Sequence, residues 1–251
     1  MRVVVKIGTS LIAPGGRIDT RWMRSLVDQL DLAAHEYVLV SSGAIACGMS
    51  SLAIGQQPRK LDLMQASAAV GQSQLMHTYE RLFFGKKLVA QLLLSSDDFS
   101  SSLRYRNLCN TLDQLLRLKV LPVVNENDSV SVRELEGAFG DNDELSALVA
   151  AAVRADWLVL LTNVDGFYRR NGQGRPEVMR VIKRVTPALE AACDGKSALG
   201  RGGMRSKLRA ALRATASGIH VGIANGRHPR VIPLALERKT GTYFPPLKVK
   251  D

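Results

Sequence analysis

The sequence contains six short apolar runs separated by segments with helical periodicity or polar turns. The runs span residues 3–5, 37–40, 88–94, 120–124, 157–161 and 219–223. Their apolar residues are continuous rather than alternating, which is typical of strands covered by helices on both faces of a sheet. Alternation of strand and helix signals indicates parallel pairing. The pattern therefore predicts an α/β fold with a mainly parallel central sheet.

Three of the intervening segments place apolar or small residues at i, i+3, i+4 and i+7, the spacing of one helix face. These faces are Leu108, Thr111, Leu112 and Leu115; Leu145, Leu148, Val149 and Ala152; and Leu208, Ala211, Leu212 and Thr215. Two connecting segments differ from this pattern. Partial alternation over 127–137 predicts a small exposed hairpin, and the Gly, Pro and Asn residues of 169–176 predict a loop that could separate two lobes.

The balance of charge suggests which partners to consider. The 251 residues include 34 Lys and Arg against 23 Asp and Glu, a net charge of +11. Nucleic acid, anionic membranes and anionic small molecules are all candidates, and composition does not choose among them.

The cysteines and the apolar segments indicate where the protein is found. Cys47, Cys109 and Cys193 form no C-x-x-C pair. Neither a signal-peptide core nor an apolar stretch of about 18 residues occurs. We therefore expect a soluble, cytoplasmic protein.

Glycine-containing turns follow the first two strands. In Lys6-Ile7-Gly8-Thr9-Ser10 the glycine lets backbone N–H groups approach a phosphate, which would lie beside the lysine. A surface lysine after an edge strand is the competing interpretation. After the second strand, small residues over 41–48 lead into a helix and would expose N–H donors to a carboxylate or phosphate. Close helix packing explains those small residues equally well.

Carboxylates and amides are concentrated after the fourth apolar run. Residues 125–128 are N-E-N-D, and residues 140–144 are G-D-N-D-E. Asp141 as an N-cap and Glu144 as its capping-box partner would account for two of these side chains. Asp128, Asn142 and Asp143 remain unexplained. Their groups suit the ammonium of an amino-acid substrate, lysines that need orienting, or hydrated Mg²⁺, so the segment predicts a functional site.

The segment 200–207, G-R-G-G-M-R-S-K, leads into the helix that contains Leu208. Glycines before a helix N-terminus, with Ser206 and Lys207 in the first turn, are suited to bind an anion.

The common nucleotide and metal motifs are absent from the sequence. The Walker A, G-x-G-x-x-G, H-E-x-x-H and kinase H-R-D motifs do not occur. No histidine pair has the spacing of metal ligands, and we interpret the histidines as surface or strand residues; they are His35, His77, His220 and His228.

Taken together and in order, eight segments resemble the amino acid kinase family and, within it, the glutamate 5-kinase group. They are V-V-K-I-G-T-S at 4–10, S-S-G-A-I-A-C-G at 41–48, Q-A-S-A-A-V-G-Q at 65–72, V-N-E-N-D-S-V at 124–130, F-G-D-N-D-E-L-S-A-L-V-A at 139–150, L-T-N-V-D-G-F-Y at 161–168, G-R-G-G-M-R-S-K at 200–207 and G-T-Y-F at 241–244. The N-E-N-D and G-D-N-D pair separates this group from other family members.

The resemblance implies a three-layer α-β-α sandwich in a single domain, with a glutamate-binding lobe over about 1–155 and an ATP-binding lobe over about 156–251. It implies ATP-dependent phosphorylation of the side-chain carboxylate of L-glutamate to L-glutamyl 5-phosphate, the first step of proline biosynthesis. ATP and Mg²⁺ are the implied cofactors. The implied partners are the two substrates, further copies of the chain in a dimer or tetramer, and a glutamate-5-semialdehyde dehydrogenase, but no nucleic acid or membrane.

Site residues also follow from the resemblance, position by position. The catalytic set is Lys6 and Lys207, which would contact phosphate, and Asp143, which would orient them. The glutamate-binding positions are Ser42, Gly43, Ala44, Asp128 and Asn142. The nucleotide-binding positions are Lys6, Gly8, Thr9, Ser10, Thr162, Asn163, Arg201, Gly202, Gly203, Met204, Arg205, Ser206 and Lys207.

The chain departs from the family pattern in three respects. Asn163 replaces the usual Asp and Arg201 the usual Thr, and we expect no C-terminal PUA domain, the RNA-binding-type module of many bacterial members. Two alternative functions therefore stay open. One keeps the fold but changes the acceptor to acetylglutamate, carbamate or a nucleoside monophosphate. The other is a basic nucleic-acid-binding or regulatory protein on a degenerate kinase scaffold.

Overall fold

The computed structural model describes residues 1–55, 60–130, 142–170, 175–191, 193 and 203–247. Its strands are β1 (Arg2–Ile7), β2 (Glu36–Ser41), β3 (Val89–Leu94), β4 (Leu121–Glu126), β5 (Trp157–Thr162), β6 (Tyr168–Arg170), β7 (Pro176–Val178), β8 (His220–Asn225) and β9 (Thr242–Phe244). Seven of them form one sheet in the order β3-β4-β2-β1-β5-β8-β9. All neighbours pair in parallel except β8 and β9. The predicted mainly parallel sheet is confirmed.

Helices connect these strands. They are α1 (Thr9–Ile12), α2 (Thr20–Val27), α3 (Ala44–Ser51), α4 (Leu61–Phe83), α5 (Asp97–Ser100), α6 (Ser102–Arg117), α7 (Asn142–Ala152), α8 (Pro187–Ala191), α9 (Met204–Ala216) and α10 (Val231–Leu236), with a 3₁₀ turn at Pro14–Gly16. Within the described ranges, no helix combines the length and apolar character that a membrane crossing requires.

The central strand β1 explains why the apolar runs are continuous. It pairs with β2 along one edge and with β5 along the other, and the side chains on both of its faces are buried. Val4 packs in one buried cluster with Leu145 and Leu208, whereas Val3 and Val5 pack in a second cluster on the other face. Each layer of helices therefore buries every second residue of the strand, and the three-layer arrangement is confirmed.

Several local predictions need correction. The predicted loop 169–176 is wrong at both ends, because β6 and β7 pair as an antiparallel hairpin around residues 171–174, which lie outside the described set. The face predicted for α6 is shifted: Leu108, Leu112 and Leu116 are buried, an i, i+4, i+8 stripe. Leu212 of α9 is 38% exposed rather than buried. Of the predicted hairpin 127–137, the structure describes only the turn up to residue 130.

Two glycine positions fix the helices beside the carboxyl edge of the sheet. Gly43 adopts φ 102° at the N-cap of α3, a left-handed conformation in which other residues are strained. A Cβ atom at Gly71 of α4 would overlap the carbonyl oxygen of Ala44, so the α3 and α4 backbones are in direct contact there. Because strand ends in a parallel sheet share one edge, the residues after β1, β2, β4 and β5 are neighbours in the fold.

Candidate functional site

A buried carboxylate, Asp143, lies between two ammonium groups from opposite ends of the chain. Asp143 Oδ1 is 2.5 Å from Lys6 Nζ, and Asp143 Oδ2 is 2.9 Å from Lys207 Nζ. Ser206 Oγ donates a hydrogen bond to Oδ2 at 2.7 Å. Asp143 is fully buried, and only 3% of Lys6 and 5% of Lys207 are exposed. We call Lys6, Asp143, Ser206 and Lys207 the clamp.

Packing of the sheet and two helices brings the clamp residues together. Lys6 belongs to the central strand β1, where its neighbours are apolar. Asp143 is in the first turn of α7, and Lys207 is in the first turn of α9. Because α7 packs against both β1 and α9, its N-terminal carboxylate meets both lysines.

The electrostatics of the clamp favour an ionised Asp143. Burial alone would raise the pKa of this carboxyl, because desolvation disfavours its charged form. The charges of Lys6 and Lys207 and the hydrogen bonds from Lys6 and Ser206 outweigh burial and hold the pKa well below its ordinary value of 3.8. Asp143 therefore stays ionised and holds both ammonium groups close together.

Beside the clamp, three buried amides are joined in a row that we call the amide relay: Gln72 of α4, Asn125 of β4 and Asn142 of α7. Asn142 Nδ2 donates to Asn125 Oδ1 at 2.9 Å, and Asn125 Nδ2 donates to Gln72 Oε1 at 2.8 Å. Asn142 Nδ2 also lies 2.8 Å from Ser42 Oγ. Since Asn142 directly precedes Asp143, the relay leads away from the clamp.

Ser42 and Gly43 lie at the end of β2, where the relay reaches the backbone. The Ser41 carbonyl oxygen accepts from Asn142 Nδ2 at 2.8 Å, and Ser41 Oγ is 3.0 Å from Tyr79 Oη. Ala44 begins α3 immediately after the left-handed Gly43. The small residues of this segment therefore serve two purposes, contact with Asn142 and close packing of α3 on α4.

The described nucleotide positions lie at three places in the fold: after β1, at the end of β5 and at the start of α9. Thr162 ends β5 and is buried, whereas Asn163 is exposed. Gly203 is the extended N-cap of α9, and Met204 to Lys207 form its first turn. Gly8 precedes α1, which begins with Thr9 and Ser10.

Sequence reasoning missed an anchored loop next to these nucleotide positions. Asp165 accepts hydrogen bonds from Asn225 Nδ2 at 2.8 Å and Tyr168 Oη at 2.9 Å. These bonds lower the pKa of Asp165, and the bond to Asp165 raises the pKa of Tyr168. The loop after β5 is thereby tied to the end of β8. The V-D-G-F-Y portion of the segment at 161–168 was the available signal.

The structure brings together only part of the predicted site by direct contact. Lys6, Asp143, Ser206 and Lys207 are in contact, as are Ser42 and Asn142. Asp128 lies in the turn after β4, and its role stays a prediction. Arg201 and Gly202, and Asp141 as a helix cap, lie outside the described residues. Gln72 and Asn125 had no assigned role, although the segments 65–72 and 124–130 contain them.

Comparison with known sequences identifies the family. The amino acid kinase family matches residues 1–225. The chain is 44% identical over 252 residues to glutamate 5-kinase 2 of Bacillus subtilis (strain 168), covering 97% of this chain and 67% of that protein. It is 46% identical over 254 residues to glutamate 5-kinase of Myxococcus xanthus (strain DK1622), covering 98% and 67%. The chain thus spans about two thirds of the length of these relatives.

Solved structures agree on the fold. The T. acidophilum isopentenyl phosphate kinase matches with a TM-score of 0.65 at 16% identity, over 97% of this chain and 100% of that chain. Giardia lamblia carbamate kinase bound to AMP-PNP matches with a TM-score of 0.63 at 18% identity, over 97% of each chain. At such low identity these similarities show the architecture alone. The family match and the two relatives above establish that this chain is a kinase enzyme and belongs to the amino acid kinase family.

Proposed function

We propose that the protein transfers the γ-phosphoryl group of ATP to the side-chain carboxylate of L-glutamate, producing L-glutamyl 5-phosphate in proline biosynthesis. L-Glutamate would bind to the lobe of residues 1–155 and ATP to that of residues 156–251. The observation that carries the proposal is the clamp, two buried ammonium groups held on one carboxylate at the carboxyl edge of the sheet. The names of the two bacterial relatives support glutamate as the acceptor.

The clamp suits phosphoryl transfer to a carboxylate. A carboxylate nucleophile is ionised at pH 7, so the reaction needs no general base, and the protein must mainly position two anions and stabilise transferred charge. Asp143 would hold Lys6 and Lys207 at fixed positions, and their ammonium groups would contact the moving phosphoryl group. Such preorganised cations stabilise charge in the transition state without reorganising during the reaction.

The amide relay suits the other end of an amino-acid substrate. Asn142 Oδ1 is buried and has no hydrogen-bond partner within the described ranges, so it can accept from an ammonium group. Ser42 contacts the same amide and could bind the substrate as well. Because Asn142 adjoins Asp143, a substrate bound through the relay would present its far end to the clamp.

Distribution of charge supports the assignment of ATP to the second lobe. Residues 1–155 contain 16 Lys and Arg and 16 Asp and Glu, whereas residues 156–251 contain 18 and 7. The entire net charge of +11 therefore belongs to the later segment. A triphosphate is the most anionic ligand in the proposed reaction, and a basic lobe would attract it.

The described residues fit Mg²⁺ only as a companion of the nucleotide. They contain no group of three His, Cys, Asp or Glu side chains that could hold a metal ion. The two carboxylate oxygens of Asp143 already contact the ammonium groups of Lys6 and Lys207. Mg²⁺ is commonly bound by substrate phosphates with few protein ligands. When bound there, it would neutralise charge on the phosphates.

The remaining expectations extend the proposal. The product is a reactive acyl phosphate, and we propose that a glutamate-5-semialdehyde dehydrogenase consumes it. We also propose a homo-oligomer, either a dimer or a tetramer, in the cytoplasm.

A trapping assay tests the function. Hydroxylamine converts an acyl phosphate into a hydroxamate, so purified protein with ATP, Mg²⁺ and L-glutamate should form the hydroxamate while releasing ADP. Acetylglutamate, carbamate and a nucleoside monophosphate serve as competing acceptors, with ADP release as the common readout. If ADP release does not depend on L-glutamate but does depend on another of these acceptors, that acceptor is the substrate and glutamate is not. A folded protein that shows no turnover with any of these acceptors, but binds RNA with steep salt dependence, would refute the kinase proposal.

A further inference from the structure

The amide relay leaves one hydrogen-bonding atom unsatisfied at each end. Gln72 Nε2 at one end and Asn142 Oδ1 at the other are buried and have no hydrogen-bond partner in the part of the chain that the structure describes. Gln72 itself is only 7% exposed. A buried donor without a partner destabilises a protein, so such a group calls for an explanation.

Backbone groups determine which way each amide points. The Ser41 carbonyl oxygen can only accept, which places the NH₂ group of Asn142 toward it. The Glu126 N–H can only donate, and it donates to Asn125 Oδ1 at 2.9 Å. Asn125 must therefore offer its NH₂ group to Gln72, whose oxygen accepts it. It follows that the unsatisfied atom of Gln72 is the N–H donor, and that of Asn142 is the oxygen acceptor.

A donor and an acceptor at the two ends of one rigid row match the two groups at the α-end of an amino acid. We propose that Gln72 Nε2 donates a hydrogen bond to the α-carboxylate of the acceptor substrate, while Asn142 Oδ1 accepts from its ammonium group. This inference rests on the proposed function, because the side-chain carboxylate must be at the clamp. Asn142 adjoins the clamp and Gln72 is two amides farther away, so the relay orders the α-end correctly.

The position of Gln72 is well fixed for such a contact. It follows Gly71, whose backbone lies directly against the Ala44 carbonyl group of α3, and it belongs to the long helix α4. Ala44 in turn follows Ser42 and Gly43 at the proposed glutamate site. The helix thus cannot shift without displacing that segment, and Gln72 would act as a specificity residue for α-amino acids.

Two substitutions at Gln72 separate a substrate contact from a structural role. Gln72→Met removes both the donor and the oxygen that accepts from Asn125. Gln72→Glu keeps that oxygen but replaces the donor with a negative charge. If Gln72 contacts the α-carboxylate, L-glutamate binding weakens by about 10- to 100-fold in Gln72→Met and by more in Gln72→Glu. If Gln72 only supports Asn125, Gln72→Glu is the milder change.

Titration calorimetry with L-glutamate at pH 8, alongside ATP titration and thermal unfolding, gives the readout. Gln74→Met is the matched control, since Gln74 lies on the same helix, is exposed, and its side-chain amide accepts a hydrogen bond from Ser51. Unchanged ATP affinity with the predicted order of L-glutamate affinities supports the inference. Unchanged L-glutamate affinity in Gln72→Met, or tighter binding in Gln72→Glu than in Gln72→Met, overturns the inference about Gln72. The proposed function still stands in that case if the wild-type protein is active in the hydroxamate assay. A wild-type protein that neither binds nor phosphorylates L-glutamate overturns the proposed function as well.

Discussion

The clamp and the amide relay are neighbours at one edge of the sheet, yet they are built from opposite kinds of groups. The clamp consists of full charges, with Asp143 between Lys6 and Lys207. The relay consists of neutral amides whose hydrogen bonds are fixed by backbone groups. Asn142 and Asp143 are consecutive residues of α7, so a single helix N-terminus serves both.

The difference suggests a division of labour. Charge that grows during a reaction is best stabilised by fixed charges, and an interaction of this kind acts on the transition state more than on the bound substrate. Neutral amides offer directional donors and acceptors, which distinguish one substrate from another before any reaction occurs. We therefore expect damage to the clamp to lower kcat, and damage to the relay to raise KM for L-glutamate.

The largest effect should come from Asp143→Asn. This change leaves two buried ammonium groups without their shared carboxylate, and breaking a buried ion pair in this way costs about 3–5 kcal/mol of unfolding free energy. Urea unfolding measures the loss. Glu144→Gln is the control, because Glu144 pairs with Arg213 at the surface and should contribute under about 1 kcal/mol. Equal losses in the two variants would contradict a buried, structural role for Asp143.

Next in size is the loss of one cation. Lys207→Met keeps the apolar stem but removes the ammonium group, and we expect kcat to fall about 10²- to 10³-fold with KM for L-glutamate nearly unchanged. Steady-state kinetics on the hydroxamate assay provides both parameters. Arg209→Met is the matched control on the exposed face of α9, where Arg209 lies 3.7 Å from Glu190. A comparable fall in kcat for both variants would mean that general charge, not the clamp, matters.

Asn142→Ala breaks the relay at its junction with the clamp. It removes the amide group whose Nδ2 lies within hydrogen-bond distance of Ser41, Ser42 and Asn125, and we expect KM for L-glutamate to rise about 10- to 100-fold while KM for ATP stays within about threefold. Asn107→Ala, at an exposed position of α6, controls for the loss of an asparagine. A rise in KM for ATP that matches the rise for L-glutamate would show that the relay does not separate the two substrates.

Acid unfolding tests the charge state of the clamp. The pKa of Asp143 is lower in the folded protein than its ordinary value of 3.8, so the unfolded chain binds the proton more readily. The stability that Asp143 contributes is therefore fully present above about pH 5 and is lost as the pH falls below 4 toward the folded pKa. The unfolding free energies of the wild type and Asp143→Asn should differ by a constant amount at neutral pH and converge in acid. A difference that already shrinks between pH 7 and 5 would contradict the lowered pKa.

The smallest structural effect should come from Gly8→Ala. Gly8 adopts φ −78° and ψ 154°, which any residue tolerates, and an added Cβ would be 3.7 Å from Leu161 O and 3.9 Å from Lys6 Nζ. We expect thermal stability to change by under about 0.5 kcal/mol. If the glycine is there to admit a phosphate next to Lys6, KM for ATP rises severalfold. Wild-type kinetics in this variant would remove Gly8 from the nucleotide site.

The sequence predicted long apolar strands better than it predicted short elements. The six apolar runs all fall in or at the ends of strands of the main sheet. They were recognisable because a strand that is buried on both faces is a continuous run of apolar residues. Short elements were missed: β9, β6 and β7 have three residues each, and the sequence around β6 and β7 has the composition of a turn. Leu212 was misplaced because helical periodicity identifies a face only approximately.

The site was predictable where a residue type is unusual for its place. The glycine-containing turn after the first apolar run singled out Lys6, the carboxylates and amides at a helix start singled out Asp143, and the resemblance to a family paired them with Lys207. Their joint contact depends on α7 packing against β1 and α9, which no local pattern encodes. Gln72 had no such mark, because a glutamine in a long helix is ordinary; only the fold brings it to Asn125.

Equilibrium binding of L-glutamate to Lys207→Met and Asn142→Ala is the most direct test of the division between clamp and relay. Titration calorimetry without ATP measures binding separately from turnover. We predict that Lys207→Met binds L-glutamate within about threefold of the wild type despite its low kcat, whereas Asn142→Ala binds it about 10- to 100-fold more weakly. If Lys207→Met loses as much affinity as Asn142→Ala, both regions act on the ground state, and the proposed division is wrong.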